Sequence, residues 1–293
     1  MTCNEKNFDC HTNCFPEGAT FCIQHLHCCG NKGNDKPGVP GGTEKPIPMD
    51  LYVAKTGNDE TGDGSQANPF LTIQRGVDEI EKLPLLEKRH NVYVGDGTYL
   101  ENVVVKNLTF NLIGNVNNPQ NVIVQSGVVG GGAFLAENAN SNVEGFTFKA
   151  SEYTGISANF CIGNHSKVVI SNCIFYSDNK FTVDIMLYDK AFGSIINTTF
   201  KGPQRFCIFN PNTMSKLMTF DGISIADDTV ITSTLIYCHS LGTAEIYNPI
   251  VKTGTITGTR FRVNYLGQLH DKENLPETTI PGTDDRPNGS FAV

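Results

Sequence analysis

The chain contains no tryptophan, and only 18% of its 293 residues are charged, which is few for a helical protein. No apolar run approaches the roughly 18 residues that a membrane-spanning helix needs. The net charge of −8 argues against a nucleic-acid-binding surface, which has to be basic. The first residues lack the charged and then apolar order of a signal peptide. We therefore expect the chain to stay in the cytoplasm where it is made, or to leave by another route.

Glycine is abundant, with 29 residues beside 39% apolar residues, as in β-rich and turn-rich proteins. A six-residue pattern of β-forming side chains recurs five times, at 143–148, 170–175, 195–200, 220–225 and 246–251. Its third residue is always Gly or Asn, and successive copies begin 27, 25, 25 and 26 residues apart. A period of roughly 20–30 residues made of strands and turns is typical of a solenoid.

A second row of β-forming segments has nearly the same period. Each segment ends in a polar residue, and these are Asn164, Asp189, Asn210, His239 and Asn264. Two strand rows that share one period favour an all-β parallel β-helix, in which stacked coils lie about 4.8 Å apart and Asn side chains can form hydrogen-bonded ladders. An antiparallel β-sandwich is the alternative, but it gives no reason for the same period to occur twice.

Composition divides the chain into four parts. Residues 1–30 hold six of the ten cysteines, and residues 31–49 form a linker rich in Pro and Gly. Residues 50–265 form the predicted β-helix, and residues 266–293 form a polar C-terminal extension with several prolines.

One helix is predicted near the start of the β-helix. Ile73, Val77, Ile80 and Leu83 form a single apolar stripe, and Thr72 is a suitable N-cap residue. A helix at this position would cover the first coil and protect its open strand edges.

Four segments of the chain carry a family resemblance. The segments 52–59, 62–65 and 68–74 resemble the entry of pectate-lyase-like right-handed β-helix proteins, especially those of bacteriophage tail spikes and other virion appendages. The segment 92–103 is similar to the first coil of the same superfamily, which includes pectin methylesterases. The resemblance implies a right-handed β-helix and, for phage appendages, a homotrimer. It implies no single activity, because this fold serves lyases, esterases, hydrolases and non-enzymes.

Where such proteins are enzymes, the resemblance implies clustered carboxylates on one face, acting as calcium ligands or as acid–base pairs, often with a cation. The candidates are Asp184, Asp189, Asp221, Asp227, Asp228, Glu245, Arg205, Arg260 and Arg262. Glycoside hydrolysis needs two carboxylates about 5–10 Å apart. Asp189 is the only carboxylate in its row, and no other row brings two together. We therefore assign no catalytic residue, and Asp184 and Asp189 remain the candidates to be tested.

Arg260 and Arg262 place two cations on the same face of the last predicted strand. They could bind an anionic sugar or a partner subunit, and the simpler alternative is a solvated charged face. Four cysteines occupy apolar strand positions and are expected to be buried thiols; they are Cys161, Cys173, Cys207 and Cys238.

The N-terminal head is the most cysteine-rich segment, and thirty residues cannot form a stable apolar core without cross-links. Its candidate cross-linking residues are Cys3, Cys10, Cys14, Cys22, Cys28, Cys29, His25 and His27. The six cysteines could form three disulfides. Alternatively, the Cys10–Cys14 spacing together with the His25–Cys29 cluster could bind zinc. The adjacent pair Cys28–Cys29 favours disulfides, whereas the missing signal peptide favours zinc.

A compact head, a linker and a stiff β-helix together indicate an appendage. The leading hypothesis is a bacteriophage virion protein in which residues 1–46 attach to the particle and the β-helix contacts the host surface, including its glycans. The second hypothesis is a polysaccharide lyase or hydrolase on the same fold. The third is a non-viral surface adhesin.

Overall fold

The computed structural model describes residues 50–83, 89–128, 131–149, 151, 157–226, 229–253 and 256–271. The chain separates into two compact units, Met1–Lys45 and Pro46–Val293, and every described residue belongs to the second. The cysteine-rich head, the linker and most of the C-terminal extension therefore lie outside the described residues.

The described part contains one α-helix, α1 (Ile73–Glu81), and one 3-10 turn (Pro119–Asn121). The strands of the first coils are β1 (Asp50–Val53), β2 (His90–Val94), β3 (Gly97–Leu100), β4 (Val103–Lys106), β5 (Thr109–Ile113), β6 (Val122–Gln125), β7 (Phe134–Glu137), β8 (Asn140–Glu144), β9 (Thr147–Lys149), β10 (Ser157–Gly163) and β11 (Lys167–Ser171). Those of the later coils are β12 (Ile174–Asp178), β13 (Thr182–Leu187), β14 (Phe192–Ile196), β15 (Thr199–Pro211), β16 (Lys216–Thr219), β17 (Ser224–Ile225), β18 (Thr229–Cys238), β19 (Thr243–Ile246), β20 (Val251–Lys252), β21 (Ile256–Val263) and β22 (Gln268–Asp271).

All these strands pair in parallel, in two sheets that run along the stack of coils. The first sheet has nine strands in the order β1-β2-β5-β8-β11-β14-β16-β19-β22. The second sheet has two limbs, which are joined by the long strand β15. Its first limb contains β3, β6, β9, β12, β17 and β20, and its second limb contains β4, β7, β10, β13, β18 and β21. The predicted parallel β-helix of about 25 residues per coil is confirmed.

The pattern of the recurring six-residue segment indicated a single strand. In the structure this segment instead forms the corner between the first sheet and the first limb. In the first copy, β8 ends at Glu144, Gly145 turns the chain with φ +79°, and β9 begins at Thr147. Asn172 and Asn197 adopt the same left-handed conformation one and two coils later, with φ +51° and +42°. The Asn197 amide donates a hydrogen bond to Asn172 Oδ1. Four of the five copies have their third residue at positive φ, including Gly222 at +74°, which explains why Gly and Asn are favoured there.

The second polar row also marks a corner, but its residues are not in one register. Asn164 and Asp189 are left-handed corner residues, whereas His239 and Asn264 lie one position before the corresponding corners. Asn210 lies inside β15, three residues before its corner at Thr213. The coils differ in length, so these polar residues fall at different positions relative to the corner, although their spacing in the sequence suggested a single row. The last strand, β22, also lies beyond the predicted end of the β-helix at residue 265.

The interior is built from columns of phenylalanines that repeat with the coils. Phe148, Phe175 and Phe200 are register neighbours in the first limb, with ring centroids 5.5 and 5.3 Å apart. Phe134 and Phe160 stack in the second limb at 4.3 Å. Aromatic pairs of this kind stabilise a core beyond the area that they bury, so each coil depends on its neighbours for its apolar contacts.

The N-terminal end of the stack is closed by α1, as predicted. The helix begins after Thr72, whose hydroxyl accepts a hydrogen bond from Arg75 N. The Glu101 carboxylate accepts from the first backbone N–H groups of the helix, a site that the helix dipole favours for an anion. The Gln74 side-chain amide accepts a hydrogen bond from Val104 N at 2.7 Å and donates one to Val104 O at 3.0 Å, in the edge strand β4. A side chain thus satisfies the strand edge that would otherwise be open to another chain. Among the described residues, α1 is too short and too polar to cross a membrane.

Candidate functional site

The catalytic candidate Asp184 lies inside the β-helix, in a buried polar cluster with Asn159 and Arg205. One Asp184 oxygen is 2.6 Å from an Arg205 guanidinium nitrogen, and both side chains are fully buried. The other oxygen accepts a hydrogen bond from the Asn159 amide at 2.9 Å. Arg205 also donates to the backbone carbonyls of Lys201 and Gly202, where β15 turns from one limb into the other.

This arrangement explains why a charged pair can occupy the core. Burial raises the pKa of Asp184, while the Arg205 charge and the Asn159 hydrogen bond oppose that rise. A buried ion pair persists where further hydrogen bonds offset its desolvation. Here the Asn159 amide and the carbonyls of the bend supply them, although Arg205 Nε has no partner within the described structure. Asp184 is therefore a structural residue with no access to a substrate.

The other predicted carboxylates are dispersed. Asp189 is an exposed corner residue with φ +52°. Asp221 is an exposed corner residue that accepts a hydrogen bond from the Asn248 amide. Asp227 and Asp228 lie outside the described residues. Since Asp184 is internal and Asp189 is on a corner, these two do not form an acid–base pair.

Of the predicted carboxylates, Glu245 lies among side chains that could take part in chemistry. It points outward from the first sheet, is 7% exposed, and accepts from Lys216 at 2.9 Å and from the Tyr247 hydroxyl at 3.1 Å. His270 is its register neighbour on the next coil. A carboxylate, a cation, a phenol and an imidazole thus share one patch, which was not apparent from the sequence because the four residues come from three coils.

Arg262 belongs to a second outward patch, on the second limb, which we call the Tyr237 cluster: Tyr237, His239, Arg262 and Asn264. Tyr237 and Arg262 are register neighbours, and the guanidinium carbon is 5.7 Å from the ring centroid. The Tyr237 and His239 rings are 4.8 Å apart, and the Asn264 amide donates to the Tyr237 hydroxyl at 3.4 Å. Burial lowers the pKa of His239, which favours the neutral form of its ring. The side chain of Arg260, the other predicted binding residue, lies outside the described residues.

Asn210 extends this patch by one coil. Its pairing places it beside Met186 on one side and next to Tyr237 on the other. It is 8% exposed, and within the described structure its Oδ1 atom accepts no hydrogen bond. Buried acceptors without a donor are rare because leaving one unsatisfied costs stability.

A charged network adjoins the same face two coils earlier. The Tyr188 hydroxyl donates to Glu137 at 3.3 Å, and Asn164 and Lys106 reach the same carboxylate at 3.0 and 2.9 Å. Gly163 makes room for the Tyr188 ring, because an added Cβ would come within 2.2 Å of it. Burial, and secondarily the Glu137 charge, raises the pKa of Tyr188 to about 12.

The four body cysteines are free thiols, as expected, and three are fully enclosed. Burial raises the pKa of Cys161, Cys173 and Cys238 to about 12, which leaves them unreactive. The described residues include no group of three or more His, Cys, Asp or Glu side chains that could hold a metal ion. The proposed disulfide or zinc site of the head lies outside them.

No family model and no curated protein matches the chain. Several solved structures have a similar path of the polypeptide chain, and pectin methylesterases are among them. Pectin methylesterase PemA from Erwinia chrysanthemi aligns with 83% of this chain and 89% of its own, at 9% identity and a TM-score of 0.44. The carrot enzyme aligns with 83% and 88%, at 12% identity and a TM-score of 0.34. Escherichia coli ybhc aligns with 92% and 90%, at 12% identity and a TM-score of 0.41.

These similarities concern the β-helix and transfer no activity to this chain. The fold assignment rests on the strand register described above.

Proposed function

We propose that the protein is a non-catalytic appendage of a bacteriophage particle. Residues 1–46 attach it to the particle, and the β-helix contacts glycans of the host surface through the Tyr237 cluster. The observation that carries this proposal is the contrast between the two kinds of site. Asp184, one of the two catalytic candidates from the sequence, is locked in the core with Arg205, whereas aromatic, amide and guanidinium groups point outward together.

The chemistry of the Tyr237 cluster suits a sugar. An aromatic ring packs against the C–H face of a pyranose, and amides such as Asn264 pair with its hydroxyls. An arginine binds the carboxylate of an acidic sugar with two parallel hydrogen bonds. The cluster spans two neighbouring coils, about 4.8 Å apart, and alternate strand positions, about 6.6 Å apart. A surface of that size matches one or two sugar units.

Two measurements test the proposal. Mass spectrometry of purified particles should detect the chain, and its absence from particles would refute the attachment. Binding of the purified protein to host surface polysaccharide should fall about tenfold or more in Tyr237→Ala, whereas Tyr52→Ala should bind as the unchanged protein does. Tyr52 is the matched control because it is a half-buried, stacked tyrosine on the outer face of the first sheet. Glycan binding without particle association would instead favour a surface adhesin.

An enzyme that cleaves polysaccharide is the second candidate, and the Glu245 patch is the observation that favours it. A nearly buried carboxylate beside Lys216, Tyr247 and His270 offers groups for acid–base chemistry. Release of reducing or unsaturated sugar ends from host polysaccharide would support it, provided that Glu245→Gln abolishes the release. Glu144→Gln is the control, since Glu144 also lies on the outer side of the first sheet, away from this patch. Absence of products from all tested polysaccharides would leave the non-catalytic function.

A further inference from the structure

One corner of the β-helix carries two consecutive left-handed residues in every coil from Asn164 onward. The second residue of each pair forms a row along the stack, and the row contains His165, Lys190, Met214, Leu241 and Leu266. Backbone hydrogen bonds hold the row in line, since Met214 N donates to Ser240 O at 3.0 Å and Leu241 N to Tyr265 O at 3.1 Å. The row changes from polar to apolar between Lys190 and Met214.

The apolar part of this row is unusual in two respects. Met214, Leu241 and Leu266 have φ values of +60°, +66° and +62°, a conformation that strains bulky side chains. They are also 50%, 46% and 73% exposed, and Tyr265 beside them is 79% exposed. Asn or Gly at these positions would remove the strain, and a polar residue would suit the exposure. Neither local conformation nor solvation explains three large apolar residues in succession.

We propose that this ridge, made of Met214, Leu241, Tyr265 and Leu266, is the centre of an interface with a second copy of the same chain. The inference does not depend on the proposed function.

Three features favour a second copy over other occupants. The ridge is a convex corner, whereas small molecules bind in concave sites. Its four side chains carry no charge and no amide, although His239 and Asn264 of the Tyr237 cluster adjoin it, so a sugar would gain little from the ridge itself. It is also straight along the stack, so that symmetry-related copies can place ridge against ridge.

The size of the ridge fits the apolar centre of an interface rather than a whole one. Four such side chains expose roughly a few hundred Å², which is typical of a functional patch. A stable interface buries about 800 Å² on each partner. The polar row that continues through Lys190 and His165, both exposed, would provide part of the rim. Because each copy carries a net charge of −8, we expect salt to strengthen the association by screening the repulsion.

Sedimentation of the full-length protein over a range of concentrations, under reducing conditions, tests the proposal. We expect concentration-dependent association that is stronger at high salt. Leu241→Asn and Leu266→Asn should each weaken it about tenfold or more. Leu100→Asn is the matched control and should associate like the unchanged protein, because Leu100 is 68% exposed but lies in β3, on the other limb.

A second readout separates an interface from a structural role. Asn tolerates the left-handed conformation, so the thermal midpoint of dilute Leu241→Asn should stay the same or rise while its association weakens. A monomer at all concentrations would overturn the proposal, as would variants that associate like the unchanged protein. A marked loss of thermal stability in the dilute variant would also overturn it, because the leucine would then serve the fold of a single copy.

Discussion

The buried pair of Asp184 and Arg205 makes a sharp prediction about stability. Replacement of Arg205 by Met keeps most of the side-chain volume but removes the charge, leaving the Asp184 carboxylate in the core with only the Asn159 amide to stabilise it. Removing one partner of a buried ion pair costs about 3–5 kcal/mol of unfolding free energy. We expect Arg205→Met to lose that amount at pH 7, together with the guanidinium's bonds to the β15 bend.

The loss should depend on pH with a definite sign. Without Arg205, burial raises the pKa of Asp184 in the folded protein with little to oppose it. A carboxyl whose folded pKa exceeds its unfolded value destabilises the fold above the unfolded pKa, which is about 4. The penalty grows by up to about 1.4 kcal/mol for each pH unit until the folded pKa is reached. Lowering the pH from 7 to 5 should therefore recover part of this loss in the variant relative to the unchanged protein, at most about 3 kcal/mol.

Urea unfolding followed by circular dichroism at both pH values measures these differences. Lys82→Met is the control, since it breaks an exposed helix ion pair with Glu79 at 3.0 Å and should cost less than about 1 kcal/mol. The double variant Asp184→Leu with Arg205→Met should be more stable than Arg205→Met at pH 7, because no charge is left unpaired. The reasoning fails if Arg205→Met is as stable as the control, or if its loss is the same at both pH values.

Three further predictions follow from single contacts. Gly163→Ala should displace the Tyr188 ring, so ultraviolet titration should show one tyrosine whose pKa returns from about 12 toward 10. An unchanged titration would contradict the contact with Glu137. Gly145→Ala should lower the unfolding free energy by about 1–2 kcal/mol or more, because φ is +79° and the new Cβ would lie 2.7 Å from the Asn115 backbone. Chemical unfolding measures this loss of free energy. In a chain lacking the six head cysteines, a thiol reagent should modify Cys173, Cys207 and Cys238 only after unfolding, so rapid labelling of the native protein would disprove their burial.

The fold was predictable because a solenoid repeats its physical constraints. Every coil must turn at the same place, so Gly or Asn recurs at the corner that follows the first sheet, as at Gly145 and Asn197. Every coil must also fill the same interior, which explains the periodic β-forming segments around residues such as Phe175. The capping helix was visible for the same reason, because its apolar stripe covers the end of that interior.

The candidate sites were less predictable because coil lengths vary. A difference of a few residues moves a side chain from an interior position to a corner, and the sequence alone does not reveal where the extra residues lie. Asp184 therefore appeared to be a possible surface acid, although it is the buried partner of Arg205. The Glu245 patch and the Tyr237 cluster were missed because their members become neighbours only through register. For Arg262, the alternating strand pattern correctly indicated an outward position but not the aromatic partner.

The outer faces of early and late coils differ in their chemistry. In the early coils of the first sheet, Asn142 donates to Asn111, Asn111 to Asn91, and Asn91 to Asp50. Such a ladder uses the donors and acceptors of its own amides to hold neighbouring coils together. The last three coils replace it with aromatic, charged and apolar groups, including the Tyr237 cluster and the ridge at Leu241. These groups also contact one another across coils, as Asn264 and Arg262 do with Tyr237. They nevertheless present chemistry that a ladder of amides lacks, and both surfaces that we propose for external contacts lie on these late coils.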